Sequence, residues 1–249
     1  MNFIEALILA IIQGLTEWLP ISSSGHLALL KQLFGIEASI SFYVMLHLGT
    51  LIAVIYFLRE EMKRLFKFDE EAKRIFAYII IASFPIFLLG FLFKNFFESL
   101  FSNSINLALA FILNGLILYT TKFFKKRKKL NLSDSILIGI AQALSLIPGI
   151  SRSGITISTA ISRGIDKKTA YKFSFLLSVV AILGASLIKF SEIDFSQEPL
   201  WIVFVGILSS AFFGYIALKS VVKFIFSNEF YKFAYYCWFL GLLILLLSF

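Results

Sequence analysis

Two short segments hold nearly every residue able to do chemistry at depth in this chain. EWLPISSSGH (17–26) carries Glu17, Ser22, Ser23, Ser24, Gly25 and His26, and PGISRSG (148–154) carries Ser151, Arg152, Ser153 and Gly154. The Arg152 guanidinium is a planar fork of donors that matches a phosphate at two points. Gly25 and Gly154 let the backbone come close, each beside an expected helix start whose free N–H groups and positive dipole end favour an anion. With Ser22, Ser24, Ser151 and Ser153 adding neutral hydroxyl donors, phosphate or diphosphate is the simplest ligand. Glu17 opposes such an anion unless it holds a cation or a proton. It therefore suits either ligation of a hard divalent ion, Mg²⁺ or Ca²⁺, or acid/base work on a nearby hydroxyl. His26 could serve as acid/base or as nucleophile, and Ser23 as the attacking alkoxide once a base is near. Glu17 and Arg152 are also natural partners for each other.

These groups sit in a chain that is mostly apolar. Of 249 residues, 59% are apolar, 30 are Phe and only 15% are charged, with a mean hydropathy of +0.89. A water-soluble domain of this size could not hide so much apolar surface, so lipid must be the solvent for most of it. The expected class is all-α, a polytopic integral membrane protein in one membrane domain. Six apolar runs are long enough to cross the bilayer as helices, near 40–58, 75–93, 104–121, 170–188, 200–222 and 230–248. The N-terminus lacks a basic stretch and a small-residue cleavage site and is expected to be retained. The single cysteine, Cys237, is expected to be an inert apolar thiol, and the abundant Phe to face lipid.

The two reactive segments interrupt shorter apolar runs, about 3–36 and 133–163, each too short on either side of its break to span. Irregular backbone survives at membrane depth only inside protein or around a wet cavity, so both read as re-entrant helical hairpins. At an offset of 129 residues, IQGLTEWLPISSSGH (12–26) overlies AQALSLIPGISRSGI (141–155), matching Gln13 with Gln142, Leu15 with Leu144, Ile21 with Ile150, Ser22 with Ser151, Ser24 with Ser153 and Gly25 with Gly154. The chain thus reads as duplicated, about 1–128 and 129–249. Because each unit has one hairpin and three spans, the second starts on the opposite side, an inverted-topology repeat.

Lys and Arg positions test that topology. Nineteen of the 23 fall in loops assigned to one face, and only Lys31, Lys94 and Lys189 lie on the other, with Arg152 in the second break. By the positive-inside rule the rich face is cytoplasmic, which puts both termini and the mouth of the first hairpin outside. The basic run KKRKK (125–129) is then a topology signal and calls for no nucleic-acid partner. Outside the two breaks, His47 is expected to pack or to bond to backbone, Glu5 to be an exposed helix-end residue, and Gln13 and Gln142 to hydrogen-bond the breaks together.

QGLTEWLPISSSGH (13–26) together with PGISRSG (148–154) resembles the two signature segments of the bacterial undecaprenyl-diphosphate phosphatases of the bacitracin-resistance type, and length and span count extend the likeness over the whole chain. The resemblance implies hydrolysis of undecaprenyl diphosphate to the monophosphate and inorganic phosphate, recycling the lipid carrier for peptidoglycan synthesis. It implies a divalent cation, Mg²⁺ or Ca²⁺, and an active site open to the outer face of the bacterial inner membrane. Residue by residue, it makes Glu17 the essential second carboxylate, Ser23 and His26 the candidate nucleophile and acid/base, Arg152 the diphosphate clamp, and Ser22, Ser24, Ser151 and Ser153 the lining of the phosphate site. Where many members have a first carboxylate, this chain has Gln13, whose amide oxygen can ligate a metal only weakly and cannot act as a base. The expected partner is the polyprenyl lipid, with a homodimer as one arrangement of the chain.

A transporter or flippase for a polyprenyl phosphate is the competing reading, because inverted repeats with broken helices are a transporter plan. Against it, Glu17 and His26 have only Leu146 and Ile155 opposite them, so the two units are chemically unlike. A phosphatase of the lipid-phosphatase superfamily would need a second His after the Arg, and no His follows residue 47.

Overall fold

The computed structural model describes residues 1–124, 128–194 and 196–247, so Lys125, Lys126 and Arg127 of the basic run lie outside the described residues. The described chain is helical throughout: α1 (Phe3–Trp18), α2 (Ser23–Phe34), α3 (Ile40–Phe57), α4 (Arg59–Leu65), α5 (Glu70–Leu92), α6 (Lys94–Ser99), α7 (Ser104–Thr120), α8 (Leu132–Ala143), α9 (Arg152–Ser162), α10 (Lys167–Ile188), α11 (Leu200–Phe226) and α12 (Phe233–Leu247). Among the described residues six helical spans, α3, α5, α7 with the turn that follows it (Ser104–Phe123), α10, α11 and α12 with the turn that precedes it (Phe230–Leu247), are long and apolar enough to cross a membrane. They coincide with the six expected runs. Helix α5 begins five residues earlier than hydropathy alone suggested, because the Asp69 side chain accepts from the Ala72 amide at 2.8 Å and Glu70 and Glu71 favour the positive end of the helix.

The reactive segments are helix–break–helix units whose arms, 16, 12, 12 and 11 residues long, are each too short to span about 30 Å of hydrocarbon at about 1.5 Å per residue. Both breaks are written locally. Pro20 forces Leu19 into an extended conformation and ends α1. Gly149 ends the second break at φ +103°, a left-handed conformation open to glycine, and a Cβ there would lie 2.7 Å from that of Ala110.

The 129-residue correspondence includes the helix caps. Asn2 caps α1 by accepting from the Glu5 amide, and Asn131 caps α8 by accepting from Asp134. Ser22 and Ser151 likewise cap α2 and α9 by accepting from Gly25 and Gly154. All four pairs of positions stand 129 residues apart. Glu5 is accordingly half-buried and completes a capping box with Asn2, more than the bare helix-end residue expected.

Helix packing follows the same correspondence. Helix α1 lies along α11, α8 lies along α5, and α7 pairs with α12. Small residues bring the backbones together, as lipid offers no hydrophobic drive between helices. A Cβ on Gly14 would meet the Ser210 carbonyl at 2.7 Å, and one on Gly139 would meet Ala82 backbone at 2.6 Å. Large apolar side chains such as Phe84, Phe91, Phe204, Phe212 and Leu246 point outward, whereas Phe42, Phe111 and Phe175 are fully buried. The expectation that Phe faces lipid therefore holds for the outward set and fails for those three, which fill the interior between helices.

Candidate active site

The two breaks meet, and one amide on a spanning helix fastens them. Asn114 of α7, fully buried, donates from Nδ2 to the Pro20 carbonyl at 2.9 Å, while its Oδ1 accepts from the Ser151 amide at 3.0 Å. The Ser22 hydroxyl accepts from Gly25 N of its own break at 3.3 Å and from Gly149 N of the other at 3.2 Å. Ser153 donates to the Trp18 carbonyl at 3.1 Å. Ser22 holds φ +69°, rare for a residue with a Cβ, and these bonds together over-determine it.

Glu17 and Arg152, 135 positions apart, are joined by a direct ion pair between Glu17 Oε1 and the guanidinium. Their side chains are only 4% and 18% exposed, so each removes the cost of burying the other's charge. The second carboxylate oxygen, Oε2, accepts from Ser23 Oγ at 2.6 Å and from Gln13 Nε2 at 3.0 Å. The carboxylate is thus ringed by a guanidinium, a hydroxyl and an amide. Gln13 and Glu17 reach one another because they are four residues apart on α1, and Ser23 enters from the first turn of α2.

His47 belongs to this cluster, contrary to the packing role expected for it. Its Nδ1 lies 2.8 Å from Gln13 Nε2 and 3.7 Å from Glu17 Oε2. An amide oxygen would repel the Glu17 carboxylate, so the Gln13 NH₂ must face Glu17. That NH₂ then donates to His47 Nδ1, and the ring proton sits on Nε2. Position 47, one helix further along the chain, gave no local signal. The expected Gln13–Gln142 bond is absent: Gln142 instead donates to the Ala82 carbonyl at 3.3 Å, on α5.

His26 points elsewhere. Its Nδ1 donates to the Ser22 carbonyl at 2.7 Å, and its Nε2 is 2.7 Å from the Tyr236 hydroxyl of α12. The Tyr236 ring stacks on it with centroids 5.7 Å apart and planes 8° apart, and Phe111 meets it edge-on. Neither Ser23 nor Glu17 is its hydrogen-bond partner. Asn114 and Tyr236 escaped the sequence reading; a lone amide in an apolar span was a usable signal for the first, and nothing distinguished the second among nine tyrosines.

The remaining expected ligands divide. Ser23, Ser24 and His26 are half-buried, whereas Ser22, Ser151 and Ser153 are 3%, 2% and 1% exposed with their hydroxyls engaged inside the protein. The Gly25 and Gly154 amides are taken by cap serines, and their lack of a side chain serves close approach: a Cβ on Gly25 would meet the Phe111 ring at 2.6 Å and Gly149 Cα at 3.1 Å. For these buried residues the geometry is that of a scaffold holding the breaks together.

A divalent cation can be tested against the donors present. Among the described residues no group of three or more His, Cys, Asp or Glu could hold a metal. Gln13 Oε1, however, is buried without a hydrogen-bond partner beside the only carboxylate of the cluster. Mg²⁺ commonly takes one or two protein oxygens and completes its shell with water and substrate phosphates; Gln13 and Glu17 would serve such an ion only with the Gln13 amide turned about, because its nitrogen and not its oxygen faces Glu17 in this structure.

The sequence model of the family described as Bacitracin resistance protein BacA matches residues 6–243. Similar relatives include Undecaprenyl-diphosphatase 3 of Bacillus cereus, 42% identical over 100% of this chain and 98% of its own. The Undecaprenyl-diphosphatase of Carboxydothermus hydrogenoformans is 40% identical over 100% and 98%, and that of Methanobrevibacter smithii 38% over 98% and 97%. With that match along almost its full length, and a membrane fold whose two breaks converge on Glu17 and Arg152, the chain belongs to the BacA family.

Proposed function

We propose that this protein is an integral membrane undecaprenyl-diphosphate phosphatase, which releases the terminal phosphate and returns the monophosphate carrier to cell-wall synthesis. The observation that carries the reading is the convergence of Ser23, Glu17 and Arg152 from two breaks far apart in sequence.

The hydrogen bond from Ser23 to Glu17 supports Ser23 as nucleophile and Glu17 as its base. An arriving diphosphate competes with Glu17 for the Arg152 fork, and as the guanidinium turns to the phosphate the carboxylate loses its counter-charge and becomes more basic. Ser23 Oγ then attacks the terminal phosphorus, its proton passes to Glu17 Oε2, and the bridging P–O bond breaks to release undecaprenyl phosphate. Water attacks the phosphoserine in the second step, freeing inorganic phosphate and restoring the hydroxyl, with His26 as the acid/base of that step. Arg152, the His47 Nε2–H and the first-turn amides of α2 and α9 that the cap serines leave free stabilise the charge that builds on the phosphoryl oxygens. A divalent cation held by Gln13 and Glu17 would supply further neutralisation of the diphosphate.

Shared caps, reciprocal helix packing and the joined breaks support an inverted repeat of two re-entrant hairpins. The Lys and Arg distribution supports an active site open to the outer face of the bacterial inner membrane. The flippase reading gains nothing from the cluster, which is built asymmetrically: the carboxylate and nucleophile come from one unit and the clamp from the other.

The test is phosphate release from undecaprenyl diphosphate by purified protein in detergent. Arg152→Ala and Glu17→Ala should each abolish it while leaving the thermal transition in place; normal turnover in either folded variant would refute the assignment.

A further inference from the structure

A histidine that works as acid and base needs a partner that tolerates both of its protonation states. Where a carboxylate usually orients such a ring at its non-exchanging nitrogen, His26 has the Ser22 backbone carbonyl. Its Nδ1 is committed as a donor to the Ser22 carbonyl, which leaves Nε2 as the nitrogen that can exchange a proton. That nitrogen is 2.7 Å from Tyr236 Oη, reached from the last helix, 210 positions along the chain. Neutral His26 accepts from the tyrosine hydroxyl; protonated His26 donates to the same oxygen through a hydroxyl lone pair. A carboxylate there would favour only the cation, and a lysine only the neutral ring.

The ring is held as well as bonded. Tyr236 stacks against one face, planes 8° apart, and Phe111 closes in edge-on at 88°. Phe111 is itself fixed, being fully buried and packed over Gly25. Tyr236 is anchored through its neighbour Cys237, buried against Asn114, whose Nδ2 lies 3.2 Å from the sulfur. The Asn114 bonds that join the breaks therefore also set the register of Tyr236 on His26.

We propose that Tyr236 is a positioning residue of the phosphatase, fixing the plane of His26 through one ring face and partnering Nε2 in both protonation states through its hydroxyl, while the Ser22 carbonyl sets the tautomer. This rests on His26 acting as acid/base in the second step. Tyr236→Phe preserves the stack and removes only the hydroxyl, so it isolates the second contact without opening the packing.

The experiment uses full-length protein in detergent, with ¹⁵N-labelled histidine and undecaprenyl diphosphate as substrate. Only two histidines exist, so a His47→Gln background assigns the His26 resonances. The wild type should show one tautomer, Nδ1 protonated and Nε2 hydrogen-bonded. In Tyr236→Phe the Nε2 resonance should move towards that of an unbonded imine nitrogen, and kcat should fall on the order of 10-fold, as for loss of a hydrogen bond worth about 1.4 kcal/mol, with KM changed less than about twofold. Tyr236→Leu, which loses the stack too, should fall further. A Tyr236→Phe enzyme with unchanged kcat, an unmoved resonance, or a loss confined to KM overturns the proposal. His26→Ala separates the two layers: if it loses turnover while Tyr236→Phe does not, only the Tyr236 proposal falls, and if it turns over normally the acid/base reading beneath falls as well.

Discussion

Gln13 stands where the resemblance to the signature segment also allows a carboxylate, and its surroundings show how the site accommodates an amide. It donates to Glu17 and His47 and leaves its own oxygen without a hydrogen-bond partner. Gln13→Glu would place a second carboxylate beside the first, and two adjacent carboxylates favour a cation between them. The expected outcome is stimulation at a lower Mg²⁺ concentration than in the wild type, with stronger inhibition by chelator, measured as phosphate release across a metal titration. Arg152→Lys keeps the charge but loses the fork, and should cost on the order of 10 to 100-fold in kcat/KM, the effect of losing a charge-assisted hydrogen bond of about 1.5–3 kcal/mol. Glu17→Gln, which keeps the shape and removes the base, should lower kcat by about 100-fold or more. Glu17, Ser23 and Arg152 were legible in the sequence because an acid, a hydroxyl cluster and a guanidinium are conspicuous in an apolar chain. His47 and Tyr236 were not, since their roles come from tertiary contacts that leave no mark on their neighbours.

At the scale of elements, the two breaks stay together because backbone polar groups freed by Pro20 and Gly149 find partners on α7 and on each other. Asn114 satisfies one group from each break. Asn114→Leu would leave both without a partner in the interior, a loss of about 1–3 kcal/mol for each group, and should lower the detergent-phase thermal transition along with activity. Gly139→Val tests the α5–α8 crossing: with 2.6 Å to Ala82 backbone there is no room for a side chain, and overpacking of about 1–3 kcal/mol or more is expected in the same measurement. The spans were legible from hydropathy to within a few residues. Their pairing was not, because which helix a glycine approaches is decided by the partner's surface.

For the whole molecule, the proposed orientation makes a labelling prediction. With Cys237 buried, a cysteine introduced at Lys94 should react with an impermeant thiol reagent on intact cells, whereas one at Lys67, exposed between α4 and α5, should react only after lysis; the reverse pattern would overturn the orientation. The union of Glu17 with Arg152 also bears on how a catalytic cycle ends. In a setting poor in water, a freed orthophosphate would linger on an isolated guanidinium. Here a tethered carboxylate, already at contact distance, competes for the same donors and needs no diffusion to arrive. On the proposed reading, re-formation of that internal bond would hasten egress of the spent anion and reset the centre for the next lipid headgroup.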